Sequence, residues 1–220
     1  MRLWKLRRTL RRLQDRYYAG DASAVPEYLS TLAEARALGG RTPSLGVHLG
    51  AGGHHLDGWI NVDVVREGVN VLADFVHALP FRSESVGYIH SEDLIEHLDL
   101  TEGKALLREC HRVLRSGGVM RILTPDLRRL VQRVYVDRDE RELGWCDREL
   151  QAEGPCESLN MHLRMNGEHR FIYDEEHLTG VLRAIGFRVR RVRWNHSPAK
   201  ELRYLDLRDF GLNLFLEAVK

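Results

Sequence analysis

Short apolar segments alternate with longer stretches of helical periodicity from Leu45 to the C-terminus. Strands of a parallel sheet are buried on both faces and are joined by helices, so this alternation predicts an α/β fold. The segments with the length and composition of strands are 46–49, 59–62, 70–73, 86–90, 119–123, 188–194 and 212–218. We therefore expect a seven-stranded, mostly parallel, doubly wound (Rossmann-like) sheet.

Two helices are predicted among these strands, at 100–114 and 174–184. The first carries its leucines on one side and ends before the Gly117-Gly118 turn, as helices often do. The last two strands follow the second helix with a short predicted connection between them, which indicates a C-terminal antiparallel hairpin. The segment at about 136–170 is polar, irregular and long for a loop, so we expect an insertion there.

The chain begins with a separate, amphipathic pattern. Apolar residues recur at helical steps of three and four, at Leu3, Leu6, Leu10, Leu13 and Tyr17. A second helix is predicted at about 25–38, ended by a pair of glycines. We expect residues 1–44 to form a helical extension ahead of a main domain at 45–220.

Charge is distributed unevenly between these two parts. Residues 1–19 contain seven basic side chains against one acid, whereas the whole chain has a formal charge of only +1. The main body is therefore acidic, which argues against nucleic acid as a partner. The basic helix either packs on the domain or a partner with its arginines solvated, or makes weak peripheral contact with an anionic membrane surface.

Composition indicates a globular protein, with 43% hydrophobic and 30% charged residues in 220. No apolar run approaches the ~20 residues that span a bilayer, and the N-terminus lacks the apolar core of a secretory signal. The three cysteines are odd in number and lack paired metal-ligand spacing. We expect reduced thiols and a cytoplasmic protein, with the basic helix permitting contact with the inner membrane surface.

A glycine turn follows the first strand, and an acid ends the second. Gly50, Ala51 and Gly52 form the turn, and Asp63 is the acid. Glycines allow positive φ and close approach of a ligand, and an acid at a strand end can bind a ribose diol. Only thirteen positions separate Gly50 from Asp63, so we expect the loop at 53–59 to replace the usual helix and to face the ligand.

Further motifs follow in order along the chain. They are His48-Leu49-Gly50-Ala51-Gly52, Asn61-Val62-Asp63, Ala73-Asp74, Leu79-Pro80-Phe81, Leu94-Ile95-Glu96-His97-Leu98, the segment 109–118 and Ile122-Leu123-Thr124-Pro125. Together they resemble the class I S-adenosylmethionine-dependent methyltransferases, particularly the type 11 methyltransferase family. The resemblance covers about 45–126 well and the C-terminal hairpin loosely.

The resemblance implies S-adenosylmethionine as cofactor and assigns residues to it. Gly50, Ala51 and Gly52 would pass beneath the methionine part, and Asp63 would accept hydrogen bonds from both ribose hydroxyls. These positions follow strands of an open sheet, and such sheets bind ligands beyond the carboxyl ends of their strands.

The adenine and sulfonium ends are assigned in the same way. Asp74 would accept from the adenine amino group with Phe75 against the ring, while Ser91 and Glu92 would flank the sulfonium and amino-acid end. The sequence departs from the family at His48, where an acid is usual.

A general base is expected for a hydroxyl acceptor, and histidine is the side chain best suited to it near neutral pH. The candidate catalytic residues are His97 after the fourth strand and His169 and Tyr173 in the late segment. The fourth strand ends without the Asn/Asp-Pro-Pro-aromatic motif of amino-nitrogen methyltransferases. We expect methylation of a small-molecule, sugar or lipid-linked acceptor at oxygen.

Other functions are less consistent with the sequence. A metal site from His54, His55, His162 and His169 is not expected, since adjacent histidines rarely chelate one ion. A nicotinamide-dependent dehydrogenase normally has a full helix after its glycine turn. A non-catalytic partner that binds the cofactor remains an alternative, RNA methylation is disfavoured by the acidic main body, and the acceptor and oligomeric state are left open.

Overall fold

The structure is a computed structural model that describes residues 45–64, 78–138, 152–207 and 211–220, together with the backbone of 71–72. The predicted N-terminal helices, Asp74 and Phe75 lie outside the described residues, as does 139–151 within the predicted insertion.

A seven-stranded sheet forms the centre of the molecule, with strand order β3-β2-β1-β4-β5-β7-β6. The strands are β1 Gly46–Leu49, β2 Ile60–Asp63, β3 Val71–Leu72, β4 Val86–Glu92, β5 Leu114–Pro125, β6 Arg188–Arg191 and β7 Asn213–Val219. The first five pair in parallel, and β7 is antiparallel to both β5 and β6. The predicted fold class is confirmed, with all seven strands near their expected positions.

Three α-helices of ten or more residues flank the described part of the sheet: α1 Leu100–Val113, α2 Pro155–Arg164 and α3 Glu175–Ile185. The N-terminus of α1 has a capping box, because Asp99 accepts from Thr101 and Glu102 N–H groups and Glu102 bonds back to Asp99 N–H. The C-terminus of α3 is closed by Gly186 at a φ of 117°. Helices α1 and α3 agree with the sequence prediction to within one residue at each end.

Helix α2 was not predicted, since it lies in the segment expected to be irregular. Its apolar side chains Leu159 and Leu163 pack against a small cluster of Leu130, Val134 and Leu212. The residues that form this cluster are far apart in sequence, so the helix depends on tertiary packing more than on a strong local pattern. A π-helix, Leu130–Val136, supplies part of the cluster.

One face of the sheet carries the main hydrophobic core. Val47 on β1 and Ile89 on β4 are fully buried beneath α1, whose buried face includes Leu106, Leu107 and Val113. Helix α3 packs on the same core and on α1.

The opposite face carries a row of polar residues in register across six strands: Asn61, His48, His90, Arg121, Glu217 and Arg190. The first five of these side chains belong to buried residues. Residues 192–212, which connect β6 and β7, supply Asp206 to this row.

The prediction of a short connection between the last two strands was therefore wrong. The connection spans residues 192–212 and includes a 3-10 helix, Lys200–Leu202. Its buried polar contacts give it a structural role, because shortening it to a turn would remove Asp206 and two backbone carbonyls from Arg121.

Among the described helices, none is both long enough and apolar enough to cross a membrane.

Candidate functional site

The glycine turn after β1 is bonded to the end of β2. The N–H groups of Gly50 and Ala51 both donate to the Val62 carbonyl, at 2.9 and 3.2 Å. Gly50 has a φ of +70°, and a Cβ there would lie 3.0 Å from the Cβ of Leu94. Glycine is required at this position both by the backbone conformation and by the close approach of the segment after β4.

Asp63 lies directly beside this turn. The Gly52 N–H donates to Asp63 Oδ2 at 2.8 Å, which orients the carboxylate at the carboxyl edge of the sheet. A Cβ built on Gly52 or Gly53 would meet no other atom within 4 Å. Among the described residues this leaves space beside the turn and the oriented carboxylate, and the assignment of Asp63 to a ribose diol stays a prediction.

The loop between β1 and β2 contains no helix, as the short spacing predicted. Trp59 packs at the start of β1, where a Cβ on Gly46 would lie 2.6 Å from the indole. The indole therefore occupies the end of β1 opposite to the glycine turn. Trp59 therefore does not face the carboxyl edge of the sheet, although the loop that contains it was expected to face the ligand.

His48 stands where the family usually has an acid. Its Nδ1 lies 3.1 Å from Asn61 Oδ1, and its ring centroid is 5.1 Å from that of His90. Burial and the adjacent His90 lower the pKa of His48 to about 3. The imidazole is therefore neutral at physiological pH, and it connects β1 to β2.

Ser91 and Glu92 end β4 at the same edge, with Ser91 in register with Leu49. Both are buried, and Glu92 accepts a 3.0 Å hydrogen bond from the Leu207 N–H. Glu92 therefore anchors the β6–β7 connection to the end of β4. Ser91, Glu92, Asp63 and the glycine turn are brought together at one edge, whereas Asp74 and Phe75 lie outside the described residues.

A cavity of about 440 Å³ lies beyond the ends of β4 and β5. We call it the histidine cavity; its polar lining includes Asp93, Glu96, His97, His162, Glu168 and His169. A larger groove, about 860 Å³, lies between α1 and α3 and contains none of the predicted site residues. The histidine cavity, and not this groove, adjoins the carboxyl edge of the sheet, where ligands bind in folds of this class.

Two of the predicted catalytic residues meet in this cavity. The rings of His97 and His169 lie 5.1 Å apart, edge to face. His169 Nδ1 is 2.7 Å from the His162 carbonyl oxygen, so Nδ1 carries the proton and donates. Burial lowers the pKa of His169, which leaves Nε2 free of a proton near neutral pH.

Tyr173, the third predicted catalytic residue, is not brought into the cavity. It is fully buried in the main core, and a Cβ on Gly103 of α1 would lie 2.6 Å from its hydroxyl oxygen. Burial, followed by the charge of Glu96, raises the pKa of Tyr173 to about 12.

Glu96 was not identified from the sequence as a residue of the site, although it lines the histidine cavity. This side chain is buried, and its Oε2 accepts a 3.0 Å hydrogen bond from the Thr124 hydroxyl. Burial and the charge of Asp93 raise the pKa of Glu96 to about 8. Its place in the motif 94–98, next to His97, was the available signal.

Comparison with known proteins agrees with this geometry. Residues 59–122 match the family model of the methyltransferase domain (type 11). No curated protein sequence matches the chain. The solved structure of a SAM-dependent methyltransferase from Archaeoglobus fulgidus is similar at 14% identity and a TM-score of 0.54, covering 87% of this chain and 92% of that one.

An S-adenosylmethionine-dependent methyltransferase from Mesorhizobium loti is similar at 15% identity, with a TM-score of 0.48 and coverage of 87% of this chain and 100% of that one. At such low sequence identities the similarity shows a shared fold only. With the Archaeoglobus protein this similarity covers most of both chains. The match to the methyltransferase domain model covers the part of the chain from β2 into β5. Residues 59–122 therefore match a methyltransferase domain, and the chain's fold is similar to that of a SAM-dependent methyltransferase.

Proposed function

We propose that the protein methylates an oxygen atom of a small-molecule, sugar or lipid-linked acceptor bound in the histidine cavity. The observation that carries this proposal is the pair His97 and His169, whose rings lie 5.1 Å apart in a cavity at the carboxyl edge of the sheet. A hydroxyl acceptor must lose a proton, and an imidazole near neutral pH is suited to take it. A cavity of about 440 Å³ is of the size that binds small molecules.

The cofactor is proposed to lie across the glycine turn. Gly50, Ala51 and Gly52 would support the methionine part, Asp63 would hold the ribose, and Ser91 and Glu92 would lie near the sulfonium. From the sequence alone, Asp74 and Phe75 are proposed to contact the adenine. When bound, S-adenosylmethionine supplies an electrophilic methyl group on a positively charged sulfur.

The chain's own contribution is then position and proton transfer. Leu94 lies against Gly50, and the turn Ile95–His97 follows it, so the segment after β4 connects the cofactor edge to the histidine cavity. His97 or His169 would accept the hydroxyl proton at Nε2 while the walls of the cavity hold the oxygen in line with the methyl group. Such alignment supplies much of the rate enhancement in bimolecular transfer.

We expect His97→Ala and His169→Ala each to lower kcat by about 10²–10⁴-fold, the usual contribution of a general base, with little change in cofactor affinity. Release of S-adenosylhomocysteine would be measured against a panel of hydroxylated acceptors, and cofactor binding by calorimetry. His177→Ala, an exposed histidine on α3, serves as the matched control and should keep its turnover.

Tyr173→Phe is a second control in the same experiment, because its buried hydroxyl is here given only a packing role. Unchanged turnover in both His97→Ala and His169→Ala would exclude the assigned base. Binding of the cofactor without turnover of any acceptor would favour the non-catalytic partner function, and binding of NADH would favour an oxidoreductase.

Peripheral membrane contact is also proposed, from the sequence of residues 1–19 alone. Each basic residue near an anionic surface contributes about 1 kcal/mol, so the basic helix would hold a cytoplasmic protein weakly at the inner membrane surface. Vesicles containing phosphatidylserine should sediment the intact chain, and a chain lacking residues 1–19 should stay in the supernatant. Equal sedimentation of the two would remove this proposal.

A further inference from the structure

Three side chains in the histidine cavity come together with the chemistry of a metal site. They are Glu96, His97 and His169, and one ligand-type atom from each lies within 4.8 Å of the others. Among the described residues, this is the group of three metal-binding side chains whose ligand atoms lie so close to one another. It is a different set from His54, His55, His162 and His169, the combination considered from sequence. Two imidazoles and one carboxylate form a common three-ligand set for divalent transition metals.

Backbone hydrogen bonds hold the segment that carries His169 beside the turn that carries Glu96 and His97. The Glu96 carbonyl accepts hydrogen bonds from the N–H groups of Arg170 and Phe171, at 2.8 and 3.1 Å. The Arg170 side chain also bonds to Asp99 and Glu102 at the start of α1. The segment that carries His169 is therefore attached directly to the turn that carries Glu96 and His97.

Outer contacts orient the prospective ligands. His169 donates through Nδ1 to the His162 carbonyl at 2.7 Å, which leaves Nε2 as the nitrogen able to bind an ion. The Thr124 hydroxyl donates to Glu96 Oε2 at 3.0 Å. Metal-binding histidines and carboxylates are typically held by second contacts of this kind.

The charge of the cavity favours a cation. Asp93 and Glu168 line it together with Glu96, and its described lining contains no lysine or arginine. A divalent cation would offset the negative charge of these carboxylates, of which Glu96 is buried, Asp93 half-buried and Glu168 exposed. The cavity volume of about 440 Å³ leaves room for an acceptor beside the three ligands.

We propose that Glu96, His97 and His169 bind one divalent cation, with open coordination positions facing the cavity. The two imidazoles select Mn²⁺, Fe²⁺, Co²⁺ or Zn²⁺ over Mg²⁺ and Ca²⁺, which prefer oxygen ligands. This inference rests on the proposed function and changes the role of the two imidazoles there from proton acceptor to metal ligand. The cation would hold the acceptor hydroxyl and lower its pKa, and the proton would pass to Asp93 or Glu168, which line the same cavity, or to solvent. The substrate class narrows to acceptors whose hydroxyl can coordinate a metal, such as a diol or a hydroxy acid.

Co²⁺ is the probe, because its visible absorption reports coordination without any need for turnover. Untagged, chelator-treated protein should bind one Co²⁺ per chain with a saturable spectral change. Glu96→Gln and His169→Ala should each weaken binding by about 100-fold or more, beyond the ~10–100-fold cost of losing an outer contact. Circular dichroism of each variant checks that it is folded.

His162→Ala is the matched control. It removes an imidazole from the same cavity but keeps the carbonyl that accepts the hydrogen bond from His169 Nδ1–H, so Co²⁺ binding should persist. Loss of binding in His162→Ala with retention in Glu96→Gln and His169→Ala would place the ion elsewhere and overturn the proposed site.

S-Adenosylmethionine binding is measured on the same preparations to separate the two hypotheses. Cofactor binding without saturable Co²⁺ binding would overturn the metal site and leave the proposed methyl transfer intact. Co²⁺ binding with no stimulation of transfer to any hydroxylated acceptor would support the site and count against the proposed acceptor chemistry.

Discussion

Asp63→Ala is expected to weaken S-adenosylmethionine binding by at least about 100-fold. In the proposed complex its carboxylate accepts from two ribose hydroxyls, and each hydrogen bond to a charged acceptor contributes about 1.5–3 kcal/mol. The lower sum, about 3 kcal/mol, corresponds to slightly more than a hundredfold in Kd. The substitution also removes the acceptor that holds the Gly52 N–H at 2.8 Å, so the turn beneath the methionine part loses an anchor as well.

Isothermal calorimetry with S-adenosylmethionine would measure this change. Asp57→Ala is the matched control, because Asp57 is an exposed acid in the same loop and should bind the cofactor as the wild type does. Asp63→Asn should fall between wild type and Asp63→Ala, since an amide oxygen still accepts from Gly52 but carries no charge. Equal affinities of Asp63→Ala and wild type would remove residue 63 from the proposed cofactor site.

The elements that sequence predicted well are those with local patterns. The strands β1 and β4 are short runs that are buried over nearly their whole length and begin with mostly apolar residues, and α1 has both a leucine face and the Asp99–Glu102 capping box. The glycine turn and Asp63 are likewise local, because they follow two adjacent strands within thirteen positions. Such features require no knowledge of which distant segments meet.

The features that sequence missed depend on distant contacts. Glu96 and His169 meet because the Glu96 carbonyl binds the backbone at 170 and 171, and no periodicity records that pairing. Tyr173 is polar and close to His169 in sequence, yet it lies in the core against Gly103. The β6–β7 connection is long because Asp206 must reach Arg121, which is 85 positions away in the chain.

Asp206→Ala is expected to lower the free energy of unfolding by about 3–5 kcal/mol. Arg121 and Asp206 have fully buried side chains and form a bidentate pair, with Nε 2.6 Å from Oδ1. The other N–H groups of Arg121 reach Glu217 and the carbonyls of Arg193 and His196, so all five of its donors have acceptors. Removing one partner of a buried pair leaves a charge uncompensated, and that typically costs about 3–5 kcal/mol.

Urea unfolding would measure the loss against Glu175→Ala. Glu175 pairs with Arg191, but both side chains are more than two-fifths exposed, and such surface pairs contribute about 1 kcal/mol or less. The two variants remove one carboxylate each and differ mainly in burial. Similar losses in both would show that the Arg121 network contributes no more than a surface pair.

Lowering the pH should reduce the contribution of Asp206 to the free energy of unfolding. Burial by itself would raise the pKa of Asp206, but hydrogen bonds from His90 and Arg121 and the charge of Arg121 outweigh burial and lower it from 3.8 to about 2. Because the folded pKa lies below the unfolded value, the stabilisation is fully present above about pH 4 and is lost as the pH falls towards about 2.

The stability difference between wild type and Asp206→Ala should therefore be constant above about pH 5 and shrink by about 2 kcal/mol towards about pH 2, since the alanine side chain of the variant cannot titrate. Comparing the two proteins at each pH cancels the titration of the other carboxylates, which both share. A difference that stays constant as the pH falls through 4 would mean that Asp206 has the same pKa in the folded and unfolded proteins, so that Arg121 does not favour its ionised form. The pairing with Arg121 would then contribute no net electrostatic stabilisation, and the polar row would stabilise the fold by contacts that do not depend on the charge of Asp206.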